Sequence, residues 1–528
     1  MMGRKQSLSR RTRAAASVAA GASMSAYQGA SHTDLALRDW QPGLGSPDAD
    51  LLPELGALTS RSRDLARNDG LMAGGLQTHR DNIVGAVLRL SAMPDYRLLG
   101  WSVEQAREWG NKVEAHFRSW AETTDCDAAR TLDLLGMTVL ALSGEMLNGD
   151  AVAIPKWLPR PDSPWATRLC LIESDRLETP PHLEGMARIR RGIECDTNGA
   201  PVAYHFRAAH PGDAPYLSGH EVHDLYRWER VPAFTPWGRR RVVHLHAKER
   251  TGQSRGKPIV SAVMREFHMA GKYAQNELQA SLANSLVAAF LESNLDQESA
   301  AALFGDDPRE AWGKSVKQAQ SIGKLQGAAV IPLPAGARLQ SFAPSRPNVA
   351  FEAFMQAVER RIAAGMNLPY ELFAKDFSRL NYSSARAVLL EAWRYFQGRR
   401  RWLMTHWLKP IYELWLEEAV NAGVIEAPDF YANRYAYCRC RFVFGGRGWV
   451  DPVKEITAAK LRLEIGVSTL EQECAEQGLD WEEVLVQQAV EQKRRAELGV
   501  AAPAAAQWVV GKQGPEQDDP VKDKEVSA

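Results

Sequence analysis

The sequence predicts a large globular protein with a mixed α/β fold in which helices predominate. Length and composition support the first part of this prediction, and the spacing of apolar residues supports the second. The chain has 528 residues, more than one hydrophobic core usually supports, so several domains or a core completed by neighbouring subunits are expected. Its 45% hydrophobic and 24% charged residues are typical of a globular protein. Apolar residues recur every three or four positions in most long segments and alternate only in short ones, which predicts long helices and short strands.

The central element is a predicted helix, a break and a longer helix in the C-terminal half of the chain. The first helix begins near Asn348 and ends at Gly365, which can take the left-handed conformation that terminates helices. The second is expected over 384–409, with Ser383 or Ser384 as its cap. Their apolar stripes contain Phe351, Phe354, Val358 and Ile362 in the first helix and Leu389, Trp393, Phe396, Leu403 and Trp407 in the second.

The remaining helices are predicted from apolar residues at every third or fourth position, and the remaining strands from alternation of apolar and polar residues. Helices are expected over 61–83, 103–120, 131–147, 259–286, 308–322, 451–465, 470–477 and 481–498. Strands are expected over 84–90, 151–157, 241–247, 287–292, 328–333 and 439–444. Between two further alternating runs, Asp196-Thr197-Asn198-Gly199 predicts a β-hairpin. Residues 1–58 and the tail from 499 have no lasting apolar period, so an extended arm and a solvated tail are expected.

Charge and cysteine content limit the classes of function. Lysine plus arginine and aspartate plus glutamate both number 64, so no overall basic field attracts nucleic acid, and any DNA contact must be local. Six scattered cysteines are too few for a disulfide framework and suit a reducing cytoplasm. No run approaches the roughly 18 apolar residues of a membrane span. The alanine-rich stretch after Arg13 lacks the Leu, Ile and Phe of a secretion signal.

Two motifs suggest active-site chemistry, but each lacks a component. His244 and His246 share one face of a predicted strand, as metal ligands do in some hydrolases. No carboxylate or third histidine has a supporting spacing, so a structural role is favoured. The segment 252–258 lies where a phosphate-binding loop would lie, yet its glycines are one residue too close and Pro258 replaces the Ser or Thr that holds magnesium. We therefore expect no cofactor and no metal.

A basic block, Arg399-Arg400-Arg401, lies on the predicted long helix among aromatic residues. One interpretation is a basic hairpin of helices that meets a polyanion. The other, which periodicity alone favours, is that the arginines form a solvated face and the aromatic residues form core.

Several short runs, in order from about residue 60 to about residue 495, resemble one known family. They are Arg67–Gly70, His79–Gly85, Gly252–Gly256, Leu368–Leu372, Asn381–Ala387, Glu391–Phe396, Gly398–Arg400, Gly466–Thr469 and Gly478–Glu483. Together they resemble the phage portal proteins of the lambda type, which are head-tail connectors. A resemblance on this scale is more specific than any single motif in the chain.

The resemblance implies the portal fold of wing, stem, clip and crown, assembled as a ring that is usually a dodecamer in the capsid. The corresponding segments are a flexible arm (1–58), the first part of an α/β wing (59–255), a stem helix (256–286), the clip (287–343), a second stem helix (344–366), a tunnel loop (367–383), the long helix with the second part of the wing (384–450), a helical crown (451–498) and a disordered tail (499–528).

The resemblance also implies a role without enzyme activity. Portal rings sit at one capsid vertex, where the terminase packages double-stranded DNA and from which the DNA is later ejected. The implied partners are other copies of the chain, the large terminase subunit, the major capsid protein, scaffold and protease proteins, head-tail joining proteins and DNA without sequence specificity, but no membrane. The implied location is the virion, and the host cytoplasm during assembly.

Two sets of site residues follow from the same assignment. Those facing the DNA channel are Lys375, Arg379, Asn381, Arg360 and Arg361, and those docking the terminase on the clip are Arg309, Lys314 and Lys317. The alternative for the tunnel loop is that Lys375 and Arg379 only pair with Glu371 and Asp376, since exposed pairs at such spacing are common and weak.

Three other classes of protein stay open at this point. One is another ring-forming protein of the phage head and neck. The second is a metal-dependent hydrolase built on His244 and His246, which would need a third ligand. The third is a monomeric DNA-binding module that uses Arg399 to Arg401, whose affinity would fall steeply with salt.

Overall fold

The computed structural model describes residues 27–216, 218–286, 350–446 and 452–500. Within these ranges the protein is a helix-rich mixed α/β protein, as predicted. The predicted strands at 287–292 and 328–333 and the helix at 308–322 lie outside the described residues.

The helices and strands are numbered in chain order. The helices are α1 Pro47–Leu51, α2 Leu55–Asn68, α3 Gly70–Ile83, α4 Tyr96–Leu99, α5 Val103–Ala121, α6 Leu134–Asn148, α7 Met264–Leu286, α8 Phe351–Gly365, α9 Tyr370–Ala374, α10 Tyr382–Leu403, α11 Lys409–Asn421, α12 Arg434–Tyr437, α13 Pro452–Glu464, α14 Leu470–Glu476 and α15 Trp481–Leu498. The strands are β1 Leu88–Ala92, β2 Asp150–Trp157, β3 Thr167–Ile172, β4 Ile189–Arg190, β5 Ile193–Cys195, β6 Pro201–Arg207, β7 Trp228–Pro232, β8 Val243–His246 and β9 Cys440–Phe444.

Within the described ranges the strands form three small antiparallel sheets, with the orders β1-β9, β3-β2-β8 and β4-β5-β6-β7. The predicted hairpin is confirmed as β5-β6, with Ile193 opposite Tyr204. Its turn is closed by the Asp196 carboxylate, which accepts hydrogen bonds from the backbone N–H groups of Asn198 and Ala200, both at 2.8 Å. Asp and Asn favour such turns because their short side chains bond to nearby backbone.

The main core joins residues from both halves of the chain around an aromatic cluster. Trp120 of α5 and Trp407, Tyr412 and Trp415 near α11 are fully buried. Phe117 contacts Trp415 edge-to-face, with ring centroids 5.1 Å apart. Strand β9 pairs with β1, so the chain after the long helix returns to the first half. A second, smaller core lies around the sheet β4-β5-β6-β7.

The predicted long helix is confirmed, but its ends and its interior differ from the prediction. It runs as α10, a π-helical turn over Met404–Leu408, and α11. Pro410 has no N–H group to continue the regular ladder, and the wider turn before it absorbs this mismatch. The cap is Asn381, not Ser383 or Ser384. Its side chain accepts from the N–H of Ser384 at 2.8 Å.

Two predictions about how helices end were wrong for local reasons. The helix expected over 61–83 is interrupted at Asp69, whose extended backbone and side chain cap α3 through the N–H of Met72. Helix α8 ends at Gly365, as predicted, but Gly365 itself is helical and Asn367 takes the left-handed conformation, with φ of 56°. Gly365 serves close packing, because a Cβ there would lie 2.3 Å from a methyl carbon of Val263.

The predicted arm over 1–58 also extends too far. From Pro47 onward the chain is helical, and Leu55 is buried. The carboxylate of Asp48 accepts hydrogen bonds from the backbone N–H of Ser254 at 2.8 Å and from its hydroxyl at 2.7 Å. Residues 47–58 therefore belong to the folded body.

Candidate nucleic-acid interface

The predicted tunnel loop, 367–383, contains one helical turn, α9, and has a buried base and an exposed tip. At the base, the N–H of Leu368 donates to the carbonyl of Ala363 at 3.0 Å, which closes the end of α8. Met366, Leu368 and Phe373 are buried. Phe373 meets Phe267 of α7 edge-to-face at 6.1 Å. The chain at this base is thus part of the main core.

Helix α3 supports this base through two residues one turn apart. A Cβ at Gly75 would lie 3.0 Å from the terminal methyl of Met366 and 3.2 Å from the ring of Phe373. The Nε2 atom of His79 lies 3.1 Å from the carbonyl oxygen of Met366. Burial, with a smaller effect of Arg399, lowers the pKa of His79 to about 4. His79 is therefore neutral at neutral pH.

The tip comprises residues 375–380. Lys375, Phe377, Ser378 and Arg379 are exposed, and Lys375 is in the left-handed conformation with φ of 55°. The Asp376 carboxylate accepts from the hydroxyl of Ser378 at 2.6 Å and from its N–H at 3.0 Å, and these bonds lower the pKa of Asp376. The tip is an ordered turn with its basic side chains in solvent.

The alternative considered above, in which Lys375 and Arg379 pair with Glu371 and Asp376, does not match the hydrogen bonds of the structure. The guanidinium of Arg379 donates to Glu352 at 3.1 Å and to Gln356 at 3.1 Å, both on α8, and not to Asp376. The Arg379 and Glu352 side chains are 65% and 74% exposed, so this pair contributes little to stability. For Lys375, the described ranges contain no ion pair.

The other residues predicted for the channel have different settings. Arg360 lies over the ring of Tyr370 at 5.2 Å, and Arg361, 73% exposed, pairs with Glu266 at 2.9 Å. Asn381 is engaged in capping α10, so its side chain has a structural role that the sequence reasoning missed. Residues Arg309, Lys314 and Lys317 lie outside the described residues.

Two of the three arginines in the basic block of the long helix make contacts within the folded subunit. Arg399 pairs with the buried Glu145 and lies over Trp402 at 4.2 Å. Arg400 donates to the backbone carbonyls of Ile83, Asn82 and Gly445, each at 2.9 Å, and burial lowers the pKa of Arg400 to about 10. Arg401 is exposed. The block therefore does not form a basic surface.

The paired histidines belong to a buried ionic cluster. The imidazoles of His244 and His246 stack at 4.2 Å, and Nε2 of His244 lies 3.4 Å from the carboxylate of Asp150. This carboxylate is the acidic group that sequence spacing did not reveal, since β2 and β8 pair across 94 residues. Both of its oxygens already accept from Arg255. The cluster has the chemistry of a structural ion pair.

Another group with metal-ligand atoms is Glu173, Asp175 and His210. Arg63 pairs with Glu173 at 2.9 Å and also with Asp175. Nδ1 of His210 accepts from the N–H of Gly212 at 2.9 Å, which places the proton on the Nε2 atom that faces Asp175. Arg63 supplies the compensating charge, and the group is an ion-pair network.

The segment 252–256 has a structural role, because it packs against two distant parts of the chain. The N–H of Ser254 is bonded to Asp48, so it does not point toward a ligand as phosphate-binding loops require. A Cβ on Gly256 would lie 1.8 Å from the carbonyl oxygen of Gly149, so only glycine fits. The segment 252–256 therefore packs tightly against the turn between α6 and β2.

In the part of the chain that the structure describes, the motifs that suggested catalysis or general DNA binding thus make contacts that stabilise the fold. The short basic and apolar tip, 375–380, remains exposed on its buried base, in a helix-rich α/β subunit.

The sequence profile described as phage portal protein, lambda family, matches residues 33–400, and the chain therefore belongs to this family. Portal protein B of Escherichia phage lambda is 30% identical over 487 residues, which cover 89% of this chain and 90% of that protein. The portal protein of Escherichia phage N15 is 30% identical over 489 residues, with 89% and 90% covered. The probable portal protein of Halomonas phage phiHAP-1 is 24% identical over 482 residues, with 88% and 86% covered.

Among solved structures, the chain is similar to one titled as the virion of a native gene transfer agent particle, with a TM-score of 0.38 and 12% identity over 85% of this chain and 94% of that one. A second, titled as the neck of the native particle computed with C12 symmetry, has a TM-score of 0.37 and 12% identity over the same shares. Among the described helices, none is both long and apolar enough to cross a membrane.

Proposed function

We propose that the protein forms the portal ring at one vertex of a phage capsid, through which the terminase packages double-stranded DNA and from which the DNA is later ejected. The observation that carries this proposal is the exposed tip 375–380 on its buried base, in a chain of the portal family. The role is structural, without catalysis.

A ring is supported by the apolar surface of the two helices that flank the clip segment. Helices α7 and α8 contact each other through Tyr273, whose ring stacks on Phe351 at 5.6 Å. Leu278 and Leu282, one turn apart on α7, are 62% and 54% exposed, and Phe354 on α8 is 52% exposed. Such a stripe is costly in water, and a neighbouring copy would cover it.

We expect the isolated chain to assemble into rings without DNA or nucleotide. Leu278→Glu with Leu282→Glu should shift it to monomers, because each charge would be buried against an apolar neighbour. Light scattering with negative-stain imaging at micromolar concentration measures this. Val202→Glu, at an exposed position of β6, is the matched control and should leave rings intact. A monodisperse monomer of the unmodified chain would contradict the proposal.

Charge balance also supports passage of DNA in preference to tight binding. The chain has a formal net charge of zero, and the tip carries two positive charges per copy, Lys375 and Arg379, beside the negative charge of Asp376. Each neutralised phosphate adds affinity and hence friction for a sliding duplex. Sparse charges repeated around a ring would follow the phosphates without reading the bases.

We further propose that the terminase docks on the clip segment, 287–343, through Arg309, Lys314 and Lys317. The support is the position of this segment in the chain, between the helices that carry the apolar stripe. Arg309→Glu with Lys314→Glu should weaken terminase binding by about tenfold or more, since interface charge reversal places like charges together. Ring assembly should not change. Variants that fail to form rings while residual rings bind terminase normally would refute the assignment.

The remaining partners belong to the same proposal. They are the major capsid protein, scaffold and protease proteins, and head-tail joining proteins, with the protein in the host cytoplasm during assembly and in the virion afterwards. For the crown (451–498), stem, wing and clip we propose the boundaries given in the sequence analysis. The one change is that the folded body begins at Pro47.

A further inference from the structure

A single buried side chain contacts both the base below the exposed tip and the long helix α10. His79 of α3 is fully buried. Its Nε2 reaches the carbonyl of Met366, where the chain enters the segment. Its ring meets Tyr395 and Phe396 of α10 edge-to-face, with centroids 5.6 and 6.3 Å apart. Both rings lie in the second half of α10, several turns after the chain leaves the segment, so His79 links the entry of the segment to the body of α10.

The hydrogen bond to Met366 meets a requirement of the helix end. The last carbonyl groups of a helix have no partner within the helix, and buried ones need a donor from elsewhere. Met366 follows α8 directly and is fully buried. The imidazole of His79 provides this donor at 3.1 Å.

The other ring nitrogen shows that packing alone does not explain a histidine here. Nδ1 of His79 is buried and has no hydrogen-bond partner among the described residues. Since the neutral ring has one N–H and Met366 offers an acceptor, the proton lies on Nε2 and Nδ1 is left bare. A bare buried nitrogen is unfavourable, and an apolar side chain would avoid it. The donated bond is what a histidine adds.

We propose that His79 is a positioning residue, whose Nε2–H bond to the Met366 carbonyl sets the place from which Lys375 and Arg379 project. The effect on DNA rests on the function proposed above, whereas the effect of His79 on the place of the tip does not. Two measurements test these two effects separately.

The first measurement is the distance between spin labels at Ser378→Cys and Lys112→Cys within one chain, with labelled copies diluted among unlabelled ones. Ser378 is in the tip, and Lys112 is exposed on α5. The native cysteines are buried or half-buried, and the unsubstituted protein gives their background. His79→Phe keeps an aromatic ring but loses the donor. His79→Gln places an amide N–H near Nε2.

We expect the distance distribution to become about twice as wide in His79→Phe, as for a site whose support is lost, and to keep its width in His79→Gln. His79→Leu serves the same purpose if the phenylalanine variant does not fold. An unchanged width in the donor-free variant would overturn the proposal. So would equal broadening in both variants, which would mean that only packing matters.

The second measurement is nuclease-protected DNA per particle. If His79→Phe both broadens the distribution and reduces the protected DNA, with recovery of both in His79→Gln, the positioning acts on DNA. If it broadens the distribution while protected DNA is unchanged, His79 still positions the tip, and the DNA-guiding function of the tip is what fails.

Discussion

Replacing Arg255 by methionine is expected to destabilise the protein by about 3–5 kcal/mol, because it leaves a buried carboxylate without its counter-charge. Arg255 and Asp150 are both buried. The guanidinium donates to both carboxylate oxygens of Asp150 and to the carbonyls of Leu177 at 2.9 Å, Arg191 at 3.1 Å and Ser174 at 3.2 Å. One side chain thus joins three separate segments of the chain.

The urea midpoint of unfolding measures this effect, with Arg250→Met as the matched control. Arg250 pairs with Asp50 at 2.8 Å, but both side chains are more than half exposed, so its loss should cost less than about 1 kcal/mol. Arg255→Met with Asp150→Leu should recover part of the loss, since both charges are then removed together. If Arg255→Met is no less stable than the control, the cluster is not what holds these segments together.

The same cluster sets the direction of the response to acid. Burial alone would raise the pKa of Asp150, but Arg255 and His244 outweigh it, and the net shift is downward. A carboxylate with a lowered folded pKa stabilises the fold above its unfolded pKa and loses this contribution as pH falls through the folded value. We expect the contribution of Asp150 to decline progressively as pH falls from the usual aspartate pKa toward its lower folded pKa. In Asp150→Asn, the acid-dependent part of stability should become smaller.

Replacing Lys375 and Arg379 together by alanine is expected to reduce packaged DNA by roughly half or more, because the tip then presents no positive charge to the phosphates. Ring assembly and prohead formation should not change, since both side chains are exposed and the buried base at Phe373 is untouched. The measurement is nuclease-protected genome per particle.

Three controls isolate the charge of the tip. Lys112→Ala with Lys156→Ala also removes two exposed positive charges, but on α5 and β2, and should leave packaging unchanged. Lys375→Arg with Arg379→Lys keeps both charges and should package normally. Glu352→Gln releases Arg379 from its ion pair and should not reduce packaging. Normal packaging in the double alanine variant would remove the DNA-guiding role and leave the tip as structural packing.

Much of the candidate interface could be located from the sequence, but its contacts could not. The break between two helices followed from their apolar stripes, and its basic residues were visible in the chain. That Asn381 caps α10, and that Arg379 bonds to Glu352, depend on how α8 and α10 approach each other. His79 lies in one of the runs that resemble the family, but its bond to Met366 gave no signal, because the two residues are 287 positions apart.

The sequence by itself determined the helix-rich mixed class, most helices and strands, the hairpin at Asp196–Gly199 and the family. These depend on local periods and on short runs, which are properties of neighbouring residues. Only the tertiary structure decided which charged groups are used up in folding. Arg400, His244 and Ser254 looked available in the chain, and each is bonded to a group brought near by distant segments. The physical reason is that the cost of burying a charge or a polar group is met by whichever partner the fold places beside it, and sequence spacing does not contain that neighbour.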